Sequence, residues 1–166
     1  MVYSLADLNQ MHQDAFVAAL GAVFEATPEV ARQTWHVRPF ASRDDLHQKM
    51  TAVVNQMSEA EKLALISAHP DLGSRAKMAV ASVKEQAGVG LDRLSPEEYD
   101  RFHTLNETYK TRFGFPFIIA VKNHTKTSIL AAFEQRLANS KAAEMQQAIT
   151  EITQIARFRL MDLVNT

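Results

Sequence analysis

Ser95-Pro96-Glu97-Glu98, continued by Tyr99, Phe102, Leu105, Asn106, Tyr109 and Phe113 and closed by Gly114-Phe115-Pro116-Phe117-Ile118-Ile119-Ala120-Val121, is the stretch that decides the fold. Its first four residues combine a capping serine, a proline at the first helical position and a glutamate three residues after the cap, the strongest local signals for a helix start. The six apolar and polar residues that follow recur at helical spacing. Gly114 stands where a left-handed C′ residue ends a helix. Residues 115–121 are then continuously apolar, partly β-branched and interrupted by a proline. They are too short for a helix of their own, so they are predicted to run extended and buried in an otherwise helical protein.

The same signals recur on either side. Ser4 with Asp7 suggests a short helix, and Phe16, Leu20, Val23 and Phe24 predict an amphipathic one over residues 13–25. Thr27-Pro28-Glu29 reads as cap, proline and first-turn acid for a brief helix through Trp35. Ser42 and Ser58 open two more, the second ending at His69. Residues 75–81 read as loop or a helical turn, and Gly88 and Gly90 end whatever runs through Glu85 and Gln86. Thr125 caps a helix bearing Ile129, Leu130, Phe133 and Leu137, and Ser140 begins the longest, to about Leu163. The expected architecture is all-α: a single-domain bundle of about eight helices spanning residues 1–166, with one short buried extended segment.

The 166 residues suffice for one sizeable core, and 46% hydrophobic with 22% charged residues is the profile of an ordinary globular protein. A net charge of −1 with interleaved signs lacks the basic footprint of nucleic-acid binding. There is no cysteine, so disulfides, thiolate nucleophiles and Cys-type zinc sites are excluded. No apolar run reaches membrane-spanning length, and the first residues lack a signal-peptide pattern, so a cytoplasmic location is expected.

Two features point to chemistry. In His69-Pro70-Asp71-Leu72-Gly73, the proline stops the preceding helix and biases His69 out of the α region. His69 is thereby set at a helix end, with the imidazole available to give and take protons near neutrality. On the last helix the apolar stripe is read as Met145, Ala148, Ile152, Ile155, Ala156 and Leu163. Arg159 falls within about 20° of Ile152 on the helical wheel, while Arg157 falls opposite. Arg159 therefore points inward. It either snorkels or pairs with a buried acid, or it grips an anionic ligand with its planar fork.

Taken together, His69-Pro70-Asp71-Leu72, Ser82 with Glu85-Gln86, Gly90-Leu91, Phe102-x-x-Leu105-Asn106-x-x-Tyr109, Arg112-Phe113-Gly114-Phe115-Pro116-Phe117-Ile118-Ile119, Ile129-Leu130 and Ile155-Ala156-x-x-Arg159-Leu160 resemble one family. It is the 2-oxo-4-hydroxy-4-carboxy-5-ureidoimidazoline (OHCU) decarboxylases of urate catabolism. The resemblance runs from Leu8-Asn9 to Leu160 and is weakest between Gly73 and Ser82. It implies an all-α homodimer that forms (S)-allantoin without a cofactor or metal. It also implies a catalytic role for His69, and substrate contacts from Pro70, Ser82, Glu85, Gln86, Arg159 and the backbone of Phe117, Ile119 and Val121; the chemistry of decarboxylation further gives Glu85 a catalytic role. Glu85 would either orient and charge-stabilise the imidazole or place negative charge near the leaving carboxylate.

Other readings stand beside these. Ser82 and Glu85 have the S-x-x-E spacing of a capping box, which needs no substrate. The aromatic run Phe113, Phe115 and Phe117 suits a core better than a ligand box. His12, His36, His47, His103 and His124 are scattered and make no metal set with His69. His69-Pro70-Asp71 is also the hallmark of J-domain co-chaperones, but there a strongly basic helix precedes it. Here residues 59–68 carry one lysine and two glutamates. The remaining alternative is a non-catalytic helical module that binds a purine-like ligand or a protein partner.

Overall fold

The computed structural model describes residues 1–74 and 78–165. Among them are nine α-helices: α1 Leu5–Gln10, α2 Gln13–Leu20, α3 Glu29–Thr34, α4 Arg43–Asn55, α5 Glu59–Ser67, α6 Val80–Gly88, α7 Pro96–Phe113, α8 Lys126–Arg136 and α9 Lys141–Leu163. The described residues contain no β-sheet, only an isolated bridge between Tyr3 and Val164. The protein is all-α, and residues 115–120 form the expected buried, non-helical segment, one residue shorter than expected because Val121 opens a 3₁₀ turn. Of the stretch read as loop or turn, residues 75–77 lie outside the described residues. By backbone contacts the chain forms two compact units, residues 1–65 with 153–166, and residues 66–152.

The helix starts follow the local chemistry. Ser4 Oγ accepts the Asp7 N–H, and Ser42 Oγ accepts that of Asp45. Ser58 and Glu61 form a reciprocal capping box, as do Ser95 and Glu98. Thr125 pairs in the same way with Ser128, and Ser140 Oγ accepts the Ala143 N–H. Each satisfies donors that a helix end would otherwise leave orphaned. Thr27 departs from this pattern: its hydroxyl donates to the Glu25 carbonyl, and α3 begins after Pro28.

In the first unit the core contains Leu8, Phe16, Leu20, Phe24, Val30, Leu46, Met50, Val54 and Leu160. Asn9 clamps Phe40 through both main-chain groups, Nδ2 to the carbonyl at 3.0 Å and Oδ1 from the N–H at 2.7 Å. The helix expected over residues 13–25 ends at Leu20. Val23 and Phe24 are buried nonetheless, from the turn that follows. Their spacing reflects burial, which a turn supplies as well as a helix does. In that turn Ala26 has φ +46°, a left-handed conformation that a side chain disfavours.

The second unit is built on α7 and an aromatic cluster. Phe117 stacks on Phe133 with centroids 3.7 Å apart, and the Tyr109 ring meets Phe117 edge-on at 5.3 Å. Phe113 and Phe115 are buried against Tyr109. The aromatic run is therefore core. Gly114 adopts φ +81° and ends α7 as its sequence predicts. Along α9 the buried set differs from the expected stripe. Ala148, Ile152 and Ala156 are buried, while Met145, Ile155 and Leu163 are half-exposed; Glu144, Ile149 and Leu160 take the inner positions. Glu144 can be buried because its carboxylate is paired.

Candidate active site

α5 stops at Ser67, and the His69 N–H closes a turn onto the Ile66 carbonyl at 3.2 Å. His69 and Pro70 are both half-buried. The chain then turns through Leu72 and Gly73. Gly73 has φ +69°, a left-handed conformation that favours glycine, while a Cβ there would meet the movable end of Leu94 at 2.7 Å.

Three side chains staple this loop. Gln86 Oε1 accepts the Gly73 N–H at 3.0 Å, and its Nε2 donates to the Asp71 carbonyl at 3.4 Å. Asn106 Nδ2 donates to the Leu72 carbonyl at 2.9 Å. Lys110 Nζ donates to Asp71 Oδ2 at 2.8 Å, and this bond holds the Lys110 ammonium above the ordinary lysine range against the opposing effect of burial. The raised pKa fixes the sign of a pH effect. The stabilisation from this pair is complete below about pH 10.4, the ordinary lysine value, and is lost as pH rises through the higher folded one. Urea unfolding of the wild type and of Lys110→Met should differ by up to about 1 kcal/mol at neutral pH, the range for half-exposed pairs. The difference should vanish in strong alkali.

α6 presents Ser82 and Gln86, four residues apart, on its buried face, with Glu85 half-buried beside them. The helix begins at Val80, with Ala79 at the N-cap and no side-chain cap. Ser82 therefore lies inside the helix, and the capping-box reading of Ser82 and Glu85 does not apply. Gly90, at φ +83°, and the Leu91 N–H, bonded to the Gln86 carbonyl at 2.9 Å, close the helix as the glycines predict. α6 packs against the 3₁₀ turn Val121–Asn123. One unit thus gathers the His69 loop, α6 and the end of the extended segment.

That segment supplies main-chain groups. The Ile118 carbonyl accepts from Arg136 Nη1 at 2.7 Å, and the Ala120 N–H donates to Glu151 Oε1 at 3.2 Å. The N–H groups of Phe115, Phe117, Ile118, Ile119 and Val121 meet no acceptor among the described residues, although all five residues are buried; those of Phe117, Ile119 and Val121 alternate along the segment. Buried N–H groups without acceptors are rare in folded proteins. A row of them is a set of donors suited to a ligand's oxygens.

Arg159 lies in the first unit and does point inward, while Arg157 is exposed. Arg159 Nη2 lies 2.9 Å from Glu25 Oε2, both side chains being almost fully buried, and its Nη1 donates to the Ala22 carbonyl at 3.2 Å. The arginine is thus paired with a buried acid and held in a fixed orientation.

Several residues that shape the site had no role in the sequence reading. Asn106 and Lys110 hold the loop. Arg136 and Glu144, 8% and 0% exposed, form a buried ion pair at 2.9 Å. Tyr109 donates its hydroxyl to Glu144 Oε1 at 2.5 Å, and Asn139 Nδ2 donates to Oε2 at 2.9 Å. Burial and this carboxylate push the tyrosine hydroxyl well above its ordinary pKa. Arg136 was within reach of the wheel argument used for Arg159, since it follows buried Phe133 by three residues. The described residues bring together no group of three or more metal-ligating side chains, and no helix among them is long and apolar enough to cross a membrane.

With this geometry in hand, comparison with known proteins is informative. A family model described as OHCU decarboxylase matches residues 9–161. The chain is 46% identical over 160 residues to the 2-oxo-4-hydroxy-4-carboxy-5-ureidoimidazoline decarboxylase of Halalkalicoccus jeotgali, covering 96% of this chain and 91% of that one. It is 43% identical to the protein of the same name from Haloferax volcanii, covering 96% and 95%. Among solved structures it is similar to an (S)-allantoin synthase with a TM-score of 0.79 and 29% identity, over 99% of this chain and 55% of that longer one.

Proposed function

This chain belongs to the OHCU decarboxylase family, and from that premise we infer that it is a carboxy-lyase converting OHCU to (S)-allantoin in urate degradation, with His69 as its general acid/base. The chemistry sets the requirements. The carbon that loses carbon dioxide adjoins a C=N bond of the substrate ring. When the C–C bond to the carboxylate breaks, its electron pair forms a C=C bond and the C=N pair moves onto the ring nitrogen. The negative charge spreads to the ring carbonyl oxygen. The ring nitrogen takes up one proton, replacing the lost carbon dioxide; the resulting neutral enol then loses its hydroxyl proton as the neighbouring carbon gains one, and delivery to one face sets the S configuration. The C=N bond is the electron sink, so the reaction asks for no metal or pyridoxal.

The observation that supports this reading is the row of N–H groups at Phe117, Ile119 and Val121 that meet no acceptor among the described residues, in the same unit as the stapled His69 loop. Preorganised donors of this kind act on the charge that develops on a ring oxygen. His69 delivers the proton. Glu85 orients the imidazole or sets negative charge near the leaving carboxylate. Ser82, Gln86 and Pro70 line the substrate, with Gln86 also holding the loop, and Arg159 anchors an anionic group. Residues 1–166 act as a single decarboxylase domain, a reading supported by the match over residues 9–161. The resemblance supports a homodimer, which sedimentation velocity checks, and the composition supports a cytoplasmic location.

The test generates OHCU in situ from urate with an oxidase and a hydroxyisourate hydrolase, and follows the optical activity of the product. Rapid formation of one enantiomer is expected. Glu85→Gln should slow it by about 10- to 100-fold, at the lower end of acid/base effects, with unchanged helical circular dichroism. The same slow, racemic drift with and without wild-type protein would instead leave a binding module.

A further inference from the structure

We propose that the buried Arg136–Glu144 pair is a positioning device that aims the Ile119 N–H at the substrate ring; the inference rests on the decarboxylase reading above. The geometry is that of a single peptide plane. The bond between Ile118 and Ile119 is trans, the chain's one cis bond among described residues being Arg38–Pro39. In a trans peptide the C=O and the following N–H point in opposite directions. Arg136 Nη1 holds the Ile118 carbonyl at 2.7 Å, so it fixes the Ile119 N–H to point directly away from the guanidinium.

Everything around Arg136 fixes it in turn. Its Nε donates to Glu144 Oε1 at 2.9 Å, and its Cζ lies 4.3 Å from the centre of the Phe117 ring. Glu144 is held by Tyr109 and Asn139 as well. On the next peptide the Ala120 N–H is bonded to Glu151, which is itself bonded to Gln147 at 3.3 Å. Two consecutive peptide planes are therefore locked from α8 and α9, and the Ile119 N–H, the free end of the first, is left without an acceptor among the described residues.

Stability alone is a poor reason for this arrangement. A buried ion pair is commonly no better than apolar residues of the same volume. Here it also leaves Arg136 Nη2 buried with no hydrogen-bond partner, a further destabilising element. What the pair supplies that apolar side chains cannot is a directed hydrogen bond to one carbonyl.

The test uses Arg136→Lys, which keeps the charge but loses the fork that spans Glu144 and the Ile118 carbonyl. Turnover of OHCU by the folded variant should show kcat lowered about tenfold, less than the 10²–10³-fold typical of deleting a preorganised donor, with KM within threefold. In 15N–1H spectra, (S)-allantoin should move the Ile119 amide proton of the wild type, and at most half as far in the variant. Tyr109→Phe, which removes only the hydroxyl on Glu144, should lower kcat about threefold and serves if Arg136→Lys does not fold. Wild-type kcat and an unaltered Ile119 shift in a folded variant would overturn the proposal. A wild type that neither turns over OHCU nor responds to (S)-allantoin would instead sink the decarboxylase reading on which it rests.

Discussion

Replacing His69 by alanine is expected to lower kcat by about 10²–10⁴-fold, the contribution of a positioned general acid/base, while leaving (S)-allantoin binding and the helical circular dichroism close to wild type. The fold should survive because the loop is not held through this imidazole alone. Gln86, Asn106 and Lys110 bond to Asp71, Leu72 and Gly73, and all of those contacts remain when His69 is shortened. Gly73 keeps its left-handed turn for the same reason. Polarimetry of the allantoin formed, with calorimetric titration of (S)-allantoin, separates the two effects. Retention of most of the turnover by His69→Ala would remove His69 from the chemistry. Loss of ligand binding together with turnover would make it a binding group instead.

The second large effect concerns Arg159. Arg159→Ala leaves Glu25 buried without its guanidinium, and breaking such a pair from one side costs about 3–5 kcal/mol. Activity lost in this variant alone therefore says little. The informative protein is the double variant Glu25→Leu with Arg159→Met, in which both charges give way to apolar groups. Such exchanges are often neutral or stabilising, so urea unfolding should show stability returned to within about 1 kcal/mol of the wild type. On the proposed anchoring role of Arg159, turnover should stay at least tenfold down. Recovery of both stability and turnover would assign Arg159 to the fold and leave the anion to another residue.

What could be read from the sequence was mostly what is encoded within four residues. Ser4, Ser42, Ser58, Ser95, Thr125 and Ser140 all cap helices because the side chain and the N–H that it satisfies are three positions apart. Arg159 was placed inward by the same short-range periodicity, but its partner Glu25 lies far along the chain and gave no local signal. The loop staples are equally remote: Asn106 reaches Leu72 across 34 residues, and Gln86 reaches Gly73 across 13. The resemblance implies a substrate contact for Gln86, whose amide is engaged with the loop's main chain. Glu144 carries no local signal of burial, because a carboxylate in a helix's first turn ordinarily faces water. Its burial depends on Tyr109, Arg136 and Asn139 arriving together. The premature end of α2 has the same origin, since Val23 and Phe24 keep a helical spacing in a turn that packing, not periodicity, determines.

The N–H groups of Phe117, Ile119 and Val121, which meet no acceptor among the described residues, bear on how such a site tolerates mutation. A donor on the main chain survives every side-chain exchange except proline. Alanine scanning at Phe117, Ile119 or Val121 therefore measures packing and passes over recognition, whereas replacement of a single amide by an ester removes the donor and little else. Chains that differ at each of these letters can offer a ring oxygen the same row of hydrogens. Their specificity then drifts through the residues that brace the backbone, far from the ligand, where a comparison of site side chains would not look.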